Sequence, residues 1–547
     1  MCIACSTSTN ERIKRRRKKQ RELVEFRQIV TAHEAAGDRA RDHHLFDAAA
    51  QHYQEALGVE AIVPVDFQRL VEKLDSVSFF TNDPSAATTW RGRVLNSYLG
   101  NAENAGKTVE IFLAIAAQMW IDSKTQESLA LLGEAVRIAG THGTSRLHQF
   151  ATLRLASHLI TLGRFDDASR YLNALENIES TDDLDIRRSY YRRRGCIAAM
   201  QGAKAAAYED FERAAQCAKD ISSFSGLTVV LQDYATIATS LGDIEHARAI
   251  CEQALLVVRR NHMGWQVPLT CMDYANILAR MGRYTEAHAY LLEALSSDAH
   301  APILDEYFSL VGIPIALHLN DEATLVKCAR PVAIDLAFQS GEPARVGPVA
   351  AAFAQFYIKQ NQRHKARSLL HRALQLVTYF DESLNLPLVV AQHGAPADIP
   401  SARALLEKRT QLPSAEVAQA CLLLFDAVIA QRMRKDDVSR LAAQATERLD
   451  RLQWYAYSDI ARSLIPLSHP ILAVRPMRDQ PLSVALPALT EREREVVELV
   501  LQGQTNRAIA EQLTIREHTV EKHMSSIMSR LGIRSRHQLI DTVKDTL

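Results

Sequence analysis

Residues 231–255, LQDYATIATSLGDIEHARAICEQAL, decide the fold. An apolar pattern of helical period runs up to Gly242, which interrupts it, and a second such pattern starts almost at once. Two helices joined by so short a turn lie side by side. Small residues in each, Ala235 and Ala247, let them approach closely, yet one hairpin of this size cannot bury its apolar faces alone.

The unit recurs on both sides. Gly163, Gly202, Gly242 and Gly282 stand at steps of 39, 40 and 40 residues, each followed five residues later by Ala168, Ala207, Ala247 or Ala287. Twelve residues before that alanine comes a small residue (Ala156, Gly195, Ala235, Ala275), and four after it a larger one (Leu172, Phe211, Cys251, Leu291). Earlier copies fit at Gly37, Ala49, Tyr53 and Ala56 and at Ala116, Ser128, Leu132 and Ala135; a later one fits at Ala354, Ala366, Leu370 and Ala373, with weaker units near Asn320 and Ala427. The pattern resembles the tetratricopeptide repeat, lengthened from the family's 34 residues to about 40. The resemblance implies an all-α fold, a tetratricopeptide-like α-solenoid of about 40-residue helical hairpins over residues 25–465 that serves as a sensor or interaction region.

Such a stack exposes a groove lined by the first helix of each hairpin, which places Arg154, Arg192, Gln232 and Asn276 as candidate ligand contacts. Residues 187–195, RRSYYRRRG, interleave two tyrosines with five arginines. Either they hold an anionic ligand or they form a solvated helix face with the tyrosines inward, and the second reading is favoured. Arg194 falls where other repeats carry Leu155, Tyr234, Tyr274 or Phe353, so it needs a buried partner or the register slips there.

The last sixty residues change character. Thr490 with Glu493 has the spacing of a capping box, opening a helix from Glu491 to Gln502 that Gly503 ends. Thr505 caps a second helix reaching Leu513, and a third runs from Glu517 to Leu531, ended by Gly532. Ser535 and Gln538 repeat the capping-box spacing and open a fourth. On the third helix Val520, Met524, Ile527 and Leu531 form one apolar stripe. His518, Lys522, Ser525, Ser526 and Ser529 lie opposite, with Thr519, His523 and Arg530 on a flank. A slim polar face with one central lysine suits the major groove, and Arg507, Arg534 and Arg536 are placed for phosphates.

These residues resemble the LuxR-type helix-turn-helix of bacterial transcription regulators. The landmarks fall at fixed spacing: Leu489, Thr490, Glu493, Glu495, Val496, Gly503, Asn506, Ile509, Ala510, Leu513, Thr519, Val520, His523, Ile527, Leu531, Gly532 and Arg536. The resemblance implies a four-helix domain in which Glu521, Lys522 and Ser525 approach bases while Thr519, His523, Arg530 and Arg536 hold the backbone. It implies too that a fourth helix carrying Leu539, Val543 and Leu547 pairs two subunits on DNA. Arg516 stands where the family usually has a capping serine, and Glu521 where lysine is commoner, so base preference is expected to be this chain's own.

Charge agrees locally. The 547 residues carry 64 basic and 64 acidic side chains, but from Thr505 to His537 Arg507, Arg516, Lys522, Arg530, Arg534 and Arg536 outnumber Glu511, Glu517 and Glu521. So modest an excess calls for dimers on half-sites about one helical turn apart.

The expected organisation is a basic N-terminal segment (1–24), the solenoid (25–465), a Pro-rich linker (466–488) and the DNA-binding domain (489–547). The run RIKRRRKKQR, residues 12–21, is read as a solvated helix end before a second DNA contact. Other signals are discounted. Five residues separate Gly100 from Gly106 where a phosphate loop needs four, Cys2 and Cys5 lack a second pair, and no apolar run is long enough to span a membrane. The remaining cysteines are expected as small core residues in a reducing compartment.

No enzyme, cofactor or metal is therefore expected. The function expected is a transcription regulator of the cytoplasm and nucleoid, an activator, whose repeat region takes a partner protein, peptide or small-molecule inducer and gates homodimeric binding to double-stranded DNA near RNA polymerase. The alternative is an interaction scaffold anchored to DNA.

Overall fold

A computed structural model describes residues 25–59, 64–78, 80–81, 90, 105–175, 178, 181–377, 385–411, 415–465, 491–501, 506, 509–510, 513 and 515–531. Among them there is helix and no strand. Contacts divide the chain into a large unit, Met1–Met281 with Glu286–Leu464, and a smaller one, Ile465–Leu547 with the short segment Gly282–Thr285. The basic run, the prolines of 466–488, the second and fourth C-terminal helices beyond isolated residues, and Arg507, Arg534, Arg536, Leu539, Val543 and Leu547 lie outside the described residues.

The large unit is a stack of helical hairpins. After α1 (residues 25–42) come α2 (Phe46–Leu57), α3 (Pro64–Ser78), α4 (Ala105–Ile121), α5 (Thr125–His142), α6 (Ser145–Thr161), α7 (Phe165–Asn173), α8 (Leu184–Met200) and α9 (Lys204–Asp220). They continue as α10 (Phe224–Ser240), α11 (Ile244–Arg260), α12 (Gln266–Arg280) and α13 (Tyr284–Leu295), and further helices follow to Tyr455–Ser463.

The recurring glycines have a geometric cause. Gly163, Gly202, Gly242 and Gly282 adopt φ of 73°, 78°, 85° and 75°, the left-handed conformation that stops the first helix of each hairpin. Past the turn, the amide of Arg164 donates to Leu159 O (2.7 Å), that of Ala203 to Ala198 O (2.9 Å) and that of Asp243 to Ala238 O (2.9 Å), satisfying carbonyls the helix end leaves open. His44, Ser123, Asn320 and Asn361 hold the same conformation in their own turns, again five residues before Ala49, Ser128, Leu325 and Ala366. The repeat thus continues where glycine does not mark it.

Small residues then meet at the helix crossings. Ala49, Ala116, Ala156, Ala168, Ala207, Ala247, Ala275, Ala287, Ala354 and Ala366 are completely buried. A Cβ on Gly195 would come within 3.1 Å of the Phe211 ring, and one on Gly37 within 2.5 Å of Tyr53, so bulk at these positions would push the helices apart. First helices also touch from one hairpin to the next, α4 to α6, α6 to α8, α8 to α10 and α10 to α12, forming one continuous row.

Contacts distant in sequence tie the stack together. Arg345, 6% exposed, pairs with Glu306 and Glu342, and Ser123 donates to Glu306 Oε1 over 2.6 Å. Burial pushes the Glu306 carboxyl above its ordinary range, with Arg345 opposing that shift. Glu306 also lies in a stretch that departs from the expectation of no apolar run long enough to span a membrane. Pro302–Leu319 is, with a mean hydropathy of 1.2, long and apolar enough to pass for a membrane span, but 56% of it is buried within the stack around this ion pair. It is a core element, interrupted by a π-helical turn at Phe308–Gly312. Cys196, Cys217, Cys251, Cys271, Cys328 and Cys421 are buried thiols outside any disulfide, and burial raises those of Cys271 and Cys421 to about 12.

His158, on α6, is 7% exposed and faces Ser128 Oγ at 2.8 Å. Ser128 also donates to Ala116 O (2.7 Å), and the second ring nitrogen, Nδ1, stands 3.2 Å from Arg154 O. Burial, helped by Arg154, Arg193 and Arg192, lowers the pKa from 6.5 to about 4. A base with a depressed folded pKa binds its proton more readily unfolded. Its contribution is therefore full above pH 6.5 and is lost as pH falls toward 4, by up to about 3 kcal/mol. Urea midpoints should fall less between pH 7 and pH 4.5 for His158→Gln than for the unaltered chain; parallel falls would refute the assignment.

Candidate nucleic-acid interface

In the smaller unit, the helices Glu491–Leu501 and Glu517–Leu531 pack through one apolar cluster. Val496, Val497 and Val500 of the first helix and Val520 and Ile527 of the second are completely buried, with Ile509 and Ala510 closing the cluster. The stripe Val520, Met524, Ile527 faces this core. Its fourth expected member, Leu531, is helical, with a side chain outside the described residues.

What the stripe leaves outward is polar. His518, Glu521, Lys522 and Ser525 are exposed, and Thr519 and His523 half-buried beside them; Ser529 is helical, but its side chain is outside the described residues. Ser525 turns its hydroxyl back to Glu521 O (3.0 Å). The helix starts at Arg516, whose carbonyl accepts from the amides of Thr519 (2.8 Å) and Val520 (3.3 Å).

Two expected members of the face point elsewhere. Ser526 donates to Glu493 Oε1 over 2.6 Å, and Arg530, still 46% exposed, stands 3.5 Å from the other carboxylate oxygen. Glu493, expected to reach back to its own helix start, has only 4% of its side chain exposed and instead links the first helix to the groove-facing one. Arg492 adds a bond to Leu513 O (2.7 Å), tying in the segment before the turn. For Glu493 the signal was in the sequence, since it falls within the stripe of Val496, Val497 and Val500 on its helix.

The expected groove residues of the large unit lie on the row of first helices. Arg192 pairs with Asp233 and donates to Ser157 Oγ (3.1 Å); Gln232 donates to Asp273 Oδ2 (3.0 Å) and Thr270 Oγ1 (3.3 Å); Asn276 accepts from Arg280 (3.4 Å). The Arg154 guanidinium lies 5.6 Å from the centre of the Phe150 ring. The solvated-face reading of 187–195 is corrected. Arg193 is 3% exposed, and Arg194 makes two bonds of 2.8 and 2.7 Å to the buried carboxylate of Asp210. Arg194 therefore has a buried partner and the repeat register holds. Lys107 sits one turn into α4 and pairs with Glu110 at 3.0 Å.

Comparison with known proteins agrees with this geometry in the C-terminal unit. The family profile described as "GerE: Bacterial regulatory proteins, luxR family" matches residues 487–543. The spore germination protein GerE of Bacillus subtilis (strain 168) is 48% identical over 54 residues, which are 10% of this chain and 73% of GerE. The transcriptional regulatory protein DesR of the same organism is 39% identical over 57 residues, and the oxygen regulatory protein NreC of Staphylococcus aureus (strain JH9) 40% identical over 53. There the match spans 29% and 24% of the relative and 10% of this chain. The chain belongs to the luxR family of bacterial regulatory proteins. It is a DNA-binding transcription regulator that joins the family's helix-turn-helix to a tetratricopeptide-like repeat region. Among solved structures, a Rap protein complexed with competence and sporulation factor is 14% identical, covering 66% of this chain and 98% of that one with a TM-score of 0.44. NprR in complex with its peptide NprX is 16% identical, covering 62% and 98% with a TM-score of 0.39.

Because Glu493 fixes how Glu517–Leu531 is rotated over the core, Glu493→Ala should weaken binding to every duplex by a similar factor and cost about 1–3 kcal/mol of stability. Fluorescence anisotropy on specific and random duplexes measures it; a loss confined to one sequence would place Glu493 at the bases instead.

Proposed function

We propose that the chain is a transcription activator that binds duplex DNA as a homodimer and whose repeat region, by taking a partner protein, peptide or small ligand, gates that binding. One observation carries the reading: the exposed residues His518, Glu521, Lys522 and Ser525 lie on a helix whose opposite residues Val520, Met524 and Ile527 are buried, within a segment 48% identical to GerE.

Lys522 donates to guanine acceptors, Glu521 favours the amino group of cytosine, and Ser525 is short enough to admit the helix backbone to the groove. Thr519, His523 and Arg530 flank them and meet phosphates, joined by Arg507, Arg534 and Arg536. Leu539, Val543 and Leu547 pair two copies, so the half-sites lie about one helical turn apart. The assigned parts are a basic segment (1–24), the repeat region (25–465), a Pro-rich linker (466–488) that spaces the two functions, and the reader (489–547). The protein works at the nucleoid in the cytoplasm beside RNA polymerase and is not an enzyme.

Lys522→Ala should relax base preference at one position, costing about 1–3 kcal/mol on the preferred duplex alone. Arg536→Ala should weaken all sequences alike and flatten the salt dependence. Equal effects from both would undo the groove assignment. Gating is tested by removing residues 1–470, since the matched segment makes up 73% of GerE and so nearly stands as a protein there. The truncated reader should differ from the full chain in footprint or transcription; identical behaviour with and without inducer extracts would refute gating.

A further inference from the structure

The row of first helices carries a polar ladder with a defect. Counting back from the small residues at the crossings (Ala156, Gly195, Ala235, Ala275), position minus three of one repeat bonds position minus two of the next. Arg192 takes Asp233 in this way, and Gln232 takes Asp273, each pair 41 residues apart. In the two preceding repeats the minus-two position holds Arg154 and Arg193 instead of an aspartate, and the minus-three residues that would face them are Leu113 and Leu153.

Neither arginine has found an anion. The Arg154 side chain makes no hydrogen bond or ion pair among the described residues and faces the Phe150 ring. Arg193, 3% exposed, donates one bond to Ser189 O (2.6 Å) in its own helix, and its Nε has no acceptor. The Nε of Arg192 is likewise buried and unpaired. Nearby, Arg188 is taken by Asp185, and Arg194 is neutralised by Asp210. Among the described residues, Arg154, Arg188, Arg192 and Arg193 thus have Asp185 and Asp233 as their acidic neighbours, an excess of two positive charges. Burial, then repulsion from Arg192 and Arg188, lowers Arg154 to about 10. Buried guanidinium N–H groups without acceptors are costly, and an anion set among them would recover that cost.

We propose that α6 and α8 form a binding site for a compact anion, a carboxylate or phosphoryl group of the ligand, with Arg154 as principal donor and Arg192 and Arg193 beside it. The anion supplies the acceptor that these guanidinium groups lack. The site rests on the sensing role given above to the repeat region and assigns that role a chemistry. Planar guanidiniums favour forked recognition of either oxyanion.

The test uses the full chain in low-millimolar inorganic phosphate, citrate or chloride at matched ionic strength. Phosphate or citrate should raise the thermal midpoint by a few degrees over chloride, and whichever acts identifies the source as phosphoryl or carboxylate. Arg154→Asp places a carboxylate where Asp233 and Asp273 stand; it should raise the anion-free midpoint and abolish the anion increment. Arg154→Gln should abolish the increment alone, which keeps the test decisive if the aspartate variant folds poorly. An equal midpoint in all three salts, or an increment retained in Arg154→Gln, would overturn the site. Footprints taken in parallel separate this from gating: an increment lost in both variants with unaltered footprints would keep the site and remove the regulation.

Discussion

The large unit depends on the close approach of paired helices at residues too small to hold them apart. Ala156 against Ala168 and Ala275 against Ala287 are completely buried, and Gly195 meets Phe211 with no room for a methyl group. The approach is possible only because each first helix stops in a left-handed residue that returns the chain along it. Once the backbones are that near, the hydrophobic positions of neighbouring hairpins merge into a continuous core, and stability becomes a sum over neighbours rather than a property of any one hairpin.

Polar residues add order to a stack that apolar packing alone would leave free to slide. Arg192 with Asp233, and Gln232 with Asp273, set neighbouring first helices in register. The Ser123, Glu306 and Arg345 network fastens segments 183 to 222 residues apart, in a place where an unmatched charge would cost several kcal/mol. The smaller unit uses the same device once: Glu493 joins Ser526 and Arg530 across two helices and so decides which side of Glu517–Leu531 faces outward.

The hairpins were legible because glycine and alanine recur in register at Gly163, Gly202, Gly242 and Gly282. The outlying copies were harder to read because His44, Ser123 and Asn361 adopt the same left-handed turn without a residue type that announces it. The buried stripe Val520, Met524 and Ile527 could be read from helical period alone. The partners of Ser526 and Arg530 could not, since they depend on how two helices rotate against each other. Arg194 looked out of place until Asp210 was found beside it, three residues past Ala207 on the partner helix. The ladder's spacing, one repeat plus one residue, was present in the sequence as Arg192 and Asp233. Only its bond, repeated from Gln232 to Asp273, shows that the spacing is used twice and that Arg154 and Arg193 stand where the next repeats carry aspartate.

The central claim is that the outward face of Glu517–Leu531 reads duplex sequence. Selection of bound duplexes from a randomised pool by the purified full chain at low ionic strength tests it most directly. The account predicts enrichment of one motif with half-sites about one helical turn apart; recovery of a pool no different from the input would contradict it.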